Sequence, residues 1–102
     1  MRSRPNRDAS RPPTHPGAFF REIVLPAFGR PKAEIARALG ISRHALYQLL
    51  GEKARVTPEM AVRIGKLCGD GAEIWLAMQM KRDLWEAERA VDTSRIPTLS
   101  AA

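Results

Sequence analysis

The sequence predicts an all-α domain of five helices: the second and third meet at a sharp turn, the fifth is longer than the rest, and a disordered tail precedes them. Three observations predict it. Apolar residues recur at spacings of three and four, the period of a helix that buries one face. Helix-start residues (Pro16, Pro31, Ser42, Thr57-Pro58, Asp70) stand ahead of these patterned stretches, with glycines at 29 and 40 behind two of them. Residues 32–50, KAEIARALGISRHALYQLL, read as a helix, a tight turn and a second helix.

The elements follow in order. Residues 1–14, MRSRPNRDASRPPT, carry Arg2, Arg4, Arg7 and Arg11 and almost no large apolar side chain, so burial cannot offset the entropy of ordering them. They are read as a disordered basic tail, either a solvated leader or an arm on DNA or a partner. The domain proper is expected over residues 15–92. His15-Pro16-Gly17 opens the first helix, since proline at the first helical position sacrifices no hydrogen bond and presets φ. Phe19, Phe20, Ile23 and Val24 follow as its inward face. Pro26 is expected to push Leu25 out of helical geometry, Gly29 to mark a loop, and Pro31 to start the second helix with Lys32 in its first turn.

In that second helix Ile35, Ala36 and Leu39 share a face. Gly40 ends it by taking the left-handed conformation without steric penalty. Ile41 continues the apolar face across the turn, and Ser42 is placed to cap the third helix, whose Leu46, Leu49 and Leu50 point inward. GEKARV (51–56) reads as a polar loop. Thr57-Pro58-Glu59 then supplies a cap, a first-turn proline and an acid at the positive end of the helix dipole. Met60, Ile64, Leu67 and Cys68 form the fourth helix's inward face, and Gly65 within it suits close packing. Asp70 and Glu73 are read as a capping box for a final helix running to about Val91. Ile74, Trp75 and Met78 are expected to close the core. Ala77, Met80, Leu84, Ala87 and Val91 make a second stripe, and Trp85 adds apolar area. A stripe left over once the core is closed marks an interface, so homodimerisation is expected; a helix folded back on its own domain is the alternative. Residues 93–102 are a short tail in which Ile96, Pro97 and Leu99 are expected to dock in extended form or to pair with a partner's edge.

Composition limits the function. A 102-residue chain with 44% apolar residues can bury a core without staples. One cysteine allows no internal disulfide and fits a reducing, cytoplasmic setting. No apolar run approaches the roughly 18 residues of a membrane span, and the N-terminus lacks a secretory signal's apolar segment. The net charge of +6 divides as +3 over residues 1–12, +5 over 13–66 and −2 over 67–102, so the surplus lies on the tail and the helix-turn-helix half, as on a phosphate-binding face. Catalysis is not expected. His15 and His44 have no ligand-spaced partner for a metal, Ser42 and His44 are two apart on one helix and do not face each other, and no glycine-rich phosphate loop is present. Cys68 reads as a core residue, and no cofactor is expected.

Within residues 32–50, small Ala36 where two helices cross, Gly40 four residues on in the turn and Leu46 six after that resemble the helix-turn-helix of the Cro and phage-repressor class. A plain αα-hairpin is the alternative. That class lays its second helix in the DNA major groove. The third helix would then expose Arg43, His44, Tyr47 and Gln48: Arg43 for guanine or a phosphate, Gln48 for adenine, Tyr47 for a thymine methyl or a phosphate. Ser42 would cap the helix and reach the DNA, while Lys32, Lys53 and Arg55 would hold phosphates that set the register.

From His15 onward the likeness is more specific. HPG at 15–17, LGISR at 39–43, TPEMAVRIGKL at 57–67 and WLAMQMKRDLWEAERAVDTSRIPTL at 75–99 together resemble a HigA-type antitoxin of a bacterial type II toxin–antitoxin module. Three positions depart from the family pattern. Ala18 stands where an acid usually follows HPG, and Pro31-Lys32 replace the usual Ser-Gln at the second helix's start, so that Lys32 substitutes a point charge for a phosphate-binding amide. The resemblance implies a double role: neutralising a RelE/HigB-like mRNA endonuclease by direct binding, and repressing the module's own operon as a dimer on double-stranded, palindromic operator DNA. Two other readings stand beside it, a stand-alone Cro-type repressor without a toxin and an antitoxin without DNA binding.

Overall fold

The computed structural model describes residues 10–101; most of the basic tail, with Arg2, Arg4 and Arg7, lies outside them. The described residues form five helical rods and no strand. The first rod, α1, runs without a break through Pro16–Phe19, a π turn at Phe20–Val24, and Leu25–Phe28. Helix α2 spans Lys32–Leu39, α3 Arg43–Leu50, α4 Pro58–Cys68 and α5 Glu73–Ala90.

The π turn corrects two expectations. Leu25 is helical, at φ −60° and ψ −47°, and its N–H donates to Phe20 O, five residues back. Widening the turn ahead of Pro26 draws the preceding carbonyls away from the proline ring, so the helix passes through where an ordinary turn would clash. A π turn also fits more residues into each revolution. Val24 stays buried, Leu25 swings against the core, and Ile23 rotates out to 55% exposure instead of packing inward.

The core gathers one face of every rod: Phe20 and Val24, Ile35, Ala36 and Leu39, Leu46, Leu49 and Leu50, Ala61 and Ile64, and Trp75. Val56, read as the end of a polar loop, is buried with them, and its N–H donates to Gln79 Oε1 at 2.7 Å. Gln79 itself is 3% exposed and passes an Nε2–H to Asp83 Oδ1 at 2.9 Å. This amide, one turn beyond Trp75, fills the inward position that an apolar count leaves open. Ile74, expected in the core, is half exposed, because Trp75 takes the deep position and its neighbour must point away.

Nor does the capping box form. Helix α5 begins after Ala72 with no side-chain cap, and Asp70 Oδ1 accepts the Trp75 indole N–H at 3.1 Å. The aspartate is thereby committed to the core's largest side chain. Gly65 is buried against the turn that enters α5; an added Cβ would lie 2.6 Å from the Ala72 nitrogen and run into the Gly71 carbonyl. Beyond Ala90 the chain leaves the helix, and Ile96 and Leu99 are 64% and 82% exposed, so among the described residues the expected docking of the tail is not seen.

Candidate nucleic-acid interface

The turn between α2 and α3 is built from backbone bonds. Gly40 sits at φ +75°, its N–H donates to Arg37 O at 3.1 Å, and the Ile41 N–H donates to Ala36 O at 3.0 Å. These paired bonds close the carbonyl end of α2 in a Schellman motif. Ser42 follows in extended geometry, and its hydroxyl accepts the Ala45 N–H at 3.0 Å, capping α3.

From that cap α3 presents one outer face. Arg43 and His44 lie in its first turn and Tyr47 and Gln48 in its second, so the four side chains form two adjacent rows. Ser42, Arg43, His44 and Tyr47 are exposed and Gln48 is half-buried. Lys32 is exposed in the first turn of α2. Lys53 is exposed on the loop after α3, and that loop is tied back to the helix: Lys53 and Ala54 both donate their N–H to Gln48 O, at 2.9 and 3.2 Å. Arg55 is drawn the other way. It pairs with Asp83 on α5 and holds that carboxyl below the usual carboxylate range, with the Gln79 amide assisting.

Two arginines that sequence reasoning missed fix the position of α3. Arg21 on α1 donates to Leu50 O at 2.6 Å and to Glu52 Oε2 at 3.2 Å, closing the helix's C-terminal end. Arg63 on α4 donates to Leu39 O at 2.9 Å and is braced by Glu59 Oε2, also at 2.9 Å, so it supports the turn from behind. One intervening helix and more than twenty residues separate each from its acceptor, and no local pattern announces a side chain that reaches for a distant carbonyl. Between these clamps Gly17 lies directly beneath the Leu49 carbonyl, where a Cβ would collide with the oxygen.

His15 caps α1 in an unusual way. The residue is 7% exposed, and its Nδ1 accepts the Gly17 N–H at 2.9 Å. Burial lowers its pKa from the ordinary 6.5; Arg82 acts in the same direction, while Glu52, Glu86 and Asp83 oppose it. The unfolded chain therefore takes up the proton more readily. The contribution of His15 to stability is complete above pH 6.5 and is lost as pH falls from there through the lower folded value. The unfolding free energy measured by urea denaturation is expected to fall between pH 7 and pH 5 with a slope of at most about 1.4 kcal/mol per pH unit, and His15→Gln is expected to flatten that slope.

Among the described residues no group of three His, Cys, Asp or Glu is placed to hold a metal. Burial, with Asp70 nearby, pushes the Cys68 thiol up to about 11, far from a reactive thiolate. No helix among the described residues is long and apolar enough to cross a membrane.

Comparison with known proteins places the fold in a family. No family model matches the sequence. An uncharacterized helix-turn-helix-type transcriptional regulator of Escherichia coli, YddM, is 41% identical over 66 residues, covering 65% of this chain and 70% of that one. The structure of antitoxin GraA in complex with its operator superposes with a TM-score of 0.79 at 30% identity, over 94% of this chain and 99% of that one. Pseudomonas aeruginosa antitoxin HigA, solved with the higBA promoter, gives a TM-score of 0.74 at 26% identity, over 85% and 99%. The chain belongs to the family of helix-turn-helix transcriptional regulators that includes the HigA- and GraA-type antitoxins.

Proposed function

We propose that this chain is the antitoxin of a two-gene module, binding its own operator as a homodimer and neutralising a RelE/HigB-like mRNA endonuclease by direct contact. The observation that carries the DNA half is the face of α3. Its polar side chains point to solvent while its backbone is fixed at both ends, the arrangement that major-groove reading requires. Arg43 and Gln48 read bases, with Tyr47, His44 and Ser42 beside them, and Lys32 and Lys53 hold phosphates. Arg55, engaged by Asp83, exchanges that partner for a phosphate at little cost, since exposed ion pairs contribute roughly 0–1 kcal/mol. GraA and HigA, solved with operator or promoter DNA, support this half; the antitoxin names of these neighbours support the other. The nuclease activity belongs to the partner, this chain acts by binding alone, and its site of action is the cytoplasm.

Dimerisation rests on α5. Met80, Leu84 and Val91 are 66%, 55% and 54% exposed, Ala77 and Ala87 are exposed in the same row, and Trp85 flanks it. A second copy covering this stripe places two recognition helices on successive major grooves, about 34 Å apart.

A mobility shift on the chain's own upstream DNA, at several salt concentrations and with and without the product of the adjacent gene, tests the proposal. Tight binding with a steep salt slope is expected. Arg43→Ala and Gln48→Ala are each expected to lose about 1–3 kcal/mol of operator affinity and to relax specificity at one base pair. Lys53→Ala is expected to weaken all sequences alike and to reduce the salt slope by about one. Unchanged operator binding in the Arg43 and Gln48 variants would remove the assignment of α3. Specific DNA binding with no response to the neighbour's product would instead identify a stand-alone repressor.

A further inference from the structure

The chain end after α5 is ordered by its own hydrogen bonds, yet among the described residues its apolar side chains are left exposed. Asp92 Oδ1 accepts the Ser94 N–H at 3.0 Å, and the Ile96 N–H donates to Thr93 O at 2.9 Å, a turn that sets the direction of the tail. Beyond it Ile96 and Leu99 present their side chains to solvent, with Pro97 between them barring a return to helix. The described chain measures 54 × 30 × 24 Å, and its radius of gyration is 17.0 Å, where a compact domain of 100 residues has about 13 Å. An open apolar groove of about 270 Å³ lies elsewhere on the same molecule. Val56 and Gln79 floor it, Pro58, Leu76 and Met80 wall it, and Arg55 stands at its rim.

We propose that Ile96–Leu99 of one chain fill this groove on a second copy, so that the dimer exchanges its tails. The inference deepens the dimer reading above and rests on it. Two arguments select a second copy as the occupant. First, Met80 belongs both to the groove and to the exposed stripe, so the groove is continuous with that proposed interface. If two stripes pair antiparallel about Leu84, Val91 of each chain lies beside Ala77 of the other, and each tail leaves at the mouth of the other's groove. Second, the stripe alone is narrow: it spans a single helix and two of its residues are alanines, against the roughly 800 Å² that each partner buries in a specific interface. Tail exchange supplies apolar area at both ends of the pair.

Sedimentation equilibrium of the full chain tests this. The double variant Ile96→Asp/Leu99→Asp alters only exposed positions and is expected to fold normally while its dimer weakens at least about tenfold. Leu84→Asp is expected to yield monomer. In a Cys68→Ala background, Leu99→Cys chains mixed with Pro58→Cys chains are expected to cross-link between chains under mild oxidation. If the tail variant dimerises as tightly as the parent while Leu84→Asp dissociates, tail exchange is wrong and the helix dimer stands. A cross-link formed only within a doubly substituted single chain would make the tail a cover for its own groove and likewise overturn the proposal. A parent chain that sediments as a monomer at all concentrations would overturn both readings.

Discussion

Trp75→Ala is expected to remove about 4 kcal/mol of stability, a large share of the roughly 5–15 kcal/mol that holds a domain of this size. The indole is 1% exposed and stands between α5 and α1. Its ring meets Phe19 edge-on at 5.7 Å between centroids and Phe20 at 5.9 Å. Deleting it opens a cavity among rings that cannot close without moving a helix. Urea denaturation followed by circular dichroism measures the loss. Trp75→Phe keeps most of the apolar contact and forfeits the bond to Asp70, which is exposed and finds water instead; its cost is expected to be less than half as large. Equal losses in the two variants would show that the hydrogen bond, and not the packing, holds α5 in place.

Gly17→Ala is the second large effect, and its sign runs against helix propensity. Within a helix alanine is favoured over glycine by about 1 kcal/mol. Here the new methyl would overlap the Leu49 carbonyl oxygen, a backbone atom that no rotamer change can move aside. Forced separation of α1 from α3 is expected to cost about 2–3 kcal/mol net. The same separation shifts α3, the proposed recognition helix, so operator affinity is expected to fall even at temperatures where the variant remains folded. Paired denaturation and mobility-shift measurements check both outcomes. An alanine variant more stable than the parent would show that α1 and α3 part freely.

What the sequence made legible was local. Gly40, Ser42 and Thr57-Pro58 act on backbone groups within a few residues, and each does what its position predicts. The inward faces of α2, α3 and α4 were equally readable, because helical spacing projects directly onto burial. The misreadings share one cause: a hydrogen bond or backbone adjustment that helical spacing does not encode decided the outcome. Asp70 caps nothing because the Trp75 indole claims it. Val56 is core because Gln79, 23 residues on, accepts its N–H. Ile23 is exposed because the chain passes Pro26 by widening a turn. Arg21 and Arg63 were invisible as supports for α3 because their acceptors are carbonyls, which every residue carries. The surface of α3 was legible as a list of side chains, whereas the frame that presents them appeared only with the fold.

That frame has a consequence for how such a regulator diversifies. Every clamp on α3 engages main chain: the Ser42 hydroxyl on the Ala45 N–H, Arg21 on the Leu50 carbonyl, Gly17 under the Leu49 carbonyl and Arg63 on the carbonyl that precedes the turn. None of them uses the side chains at 43, 44 or 47. The lettering of the proposed recognition surface is thereby uncoupled from its mounting. Duplicated genes can drift to new operators by rewriting three or four codons while the fold is inherited unchanged, and two such paralogues in one genome can become mutually blind without either passing through an unfolded intermediate.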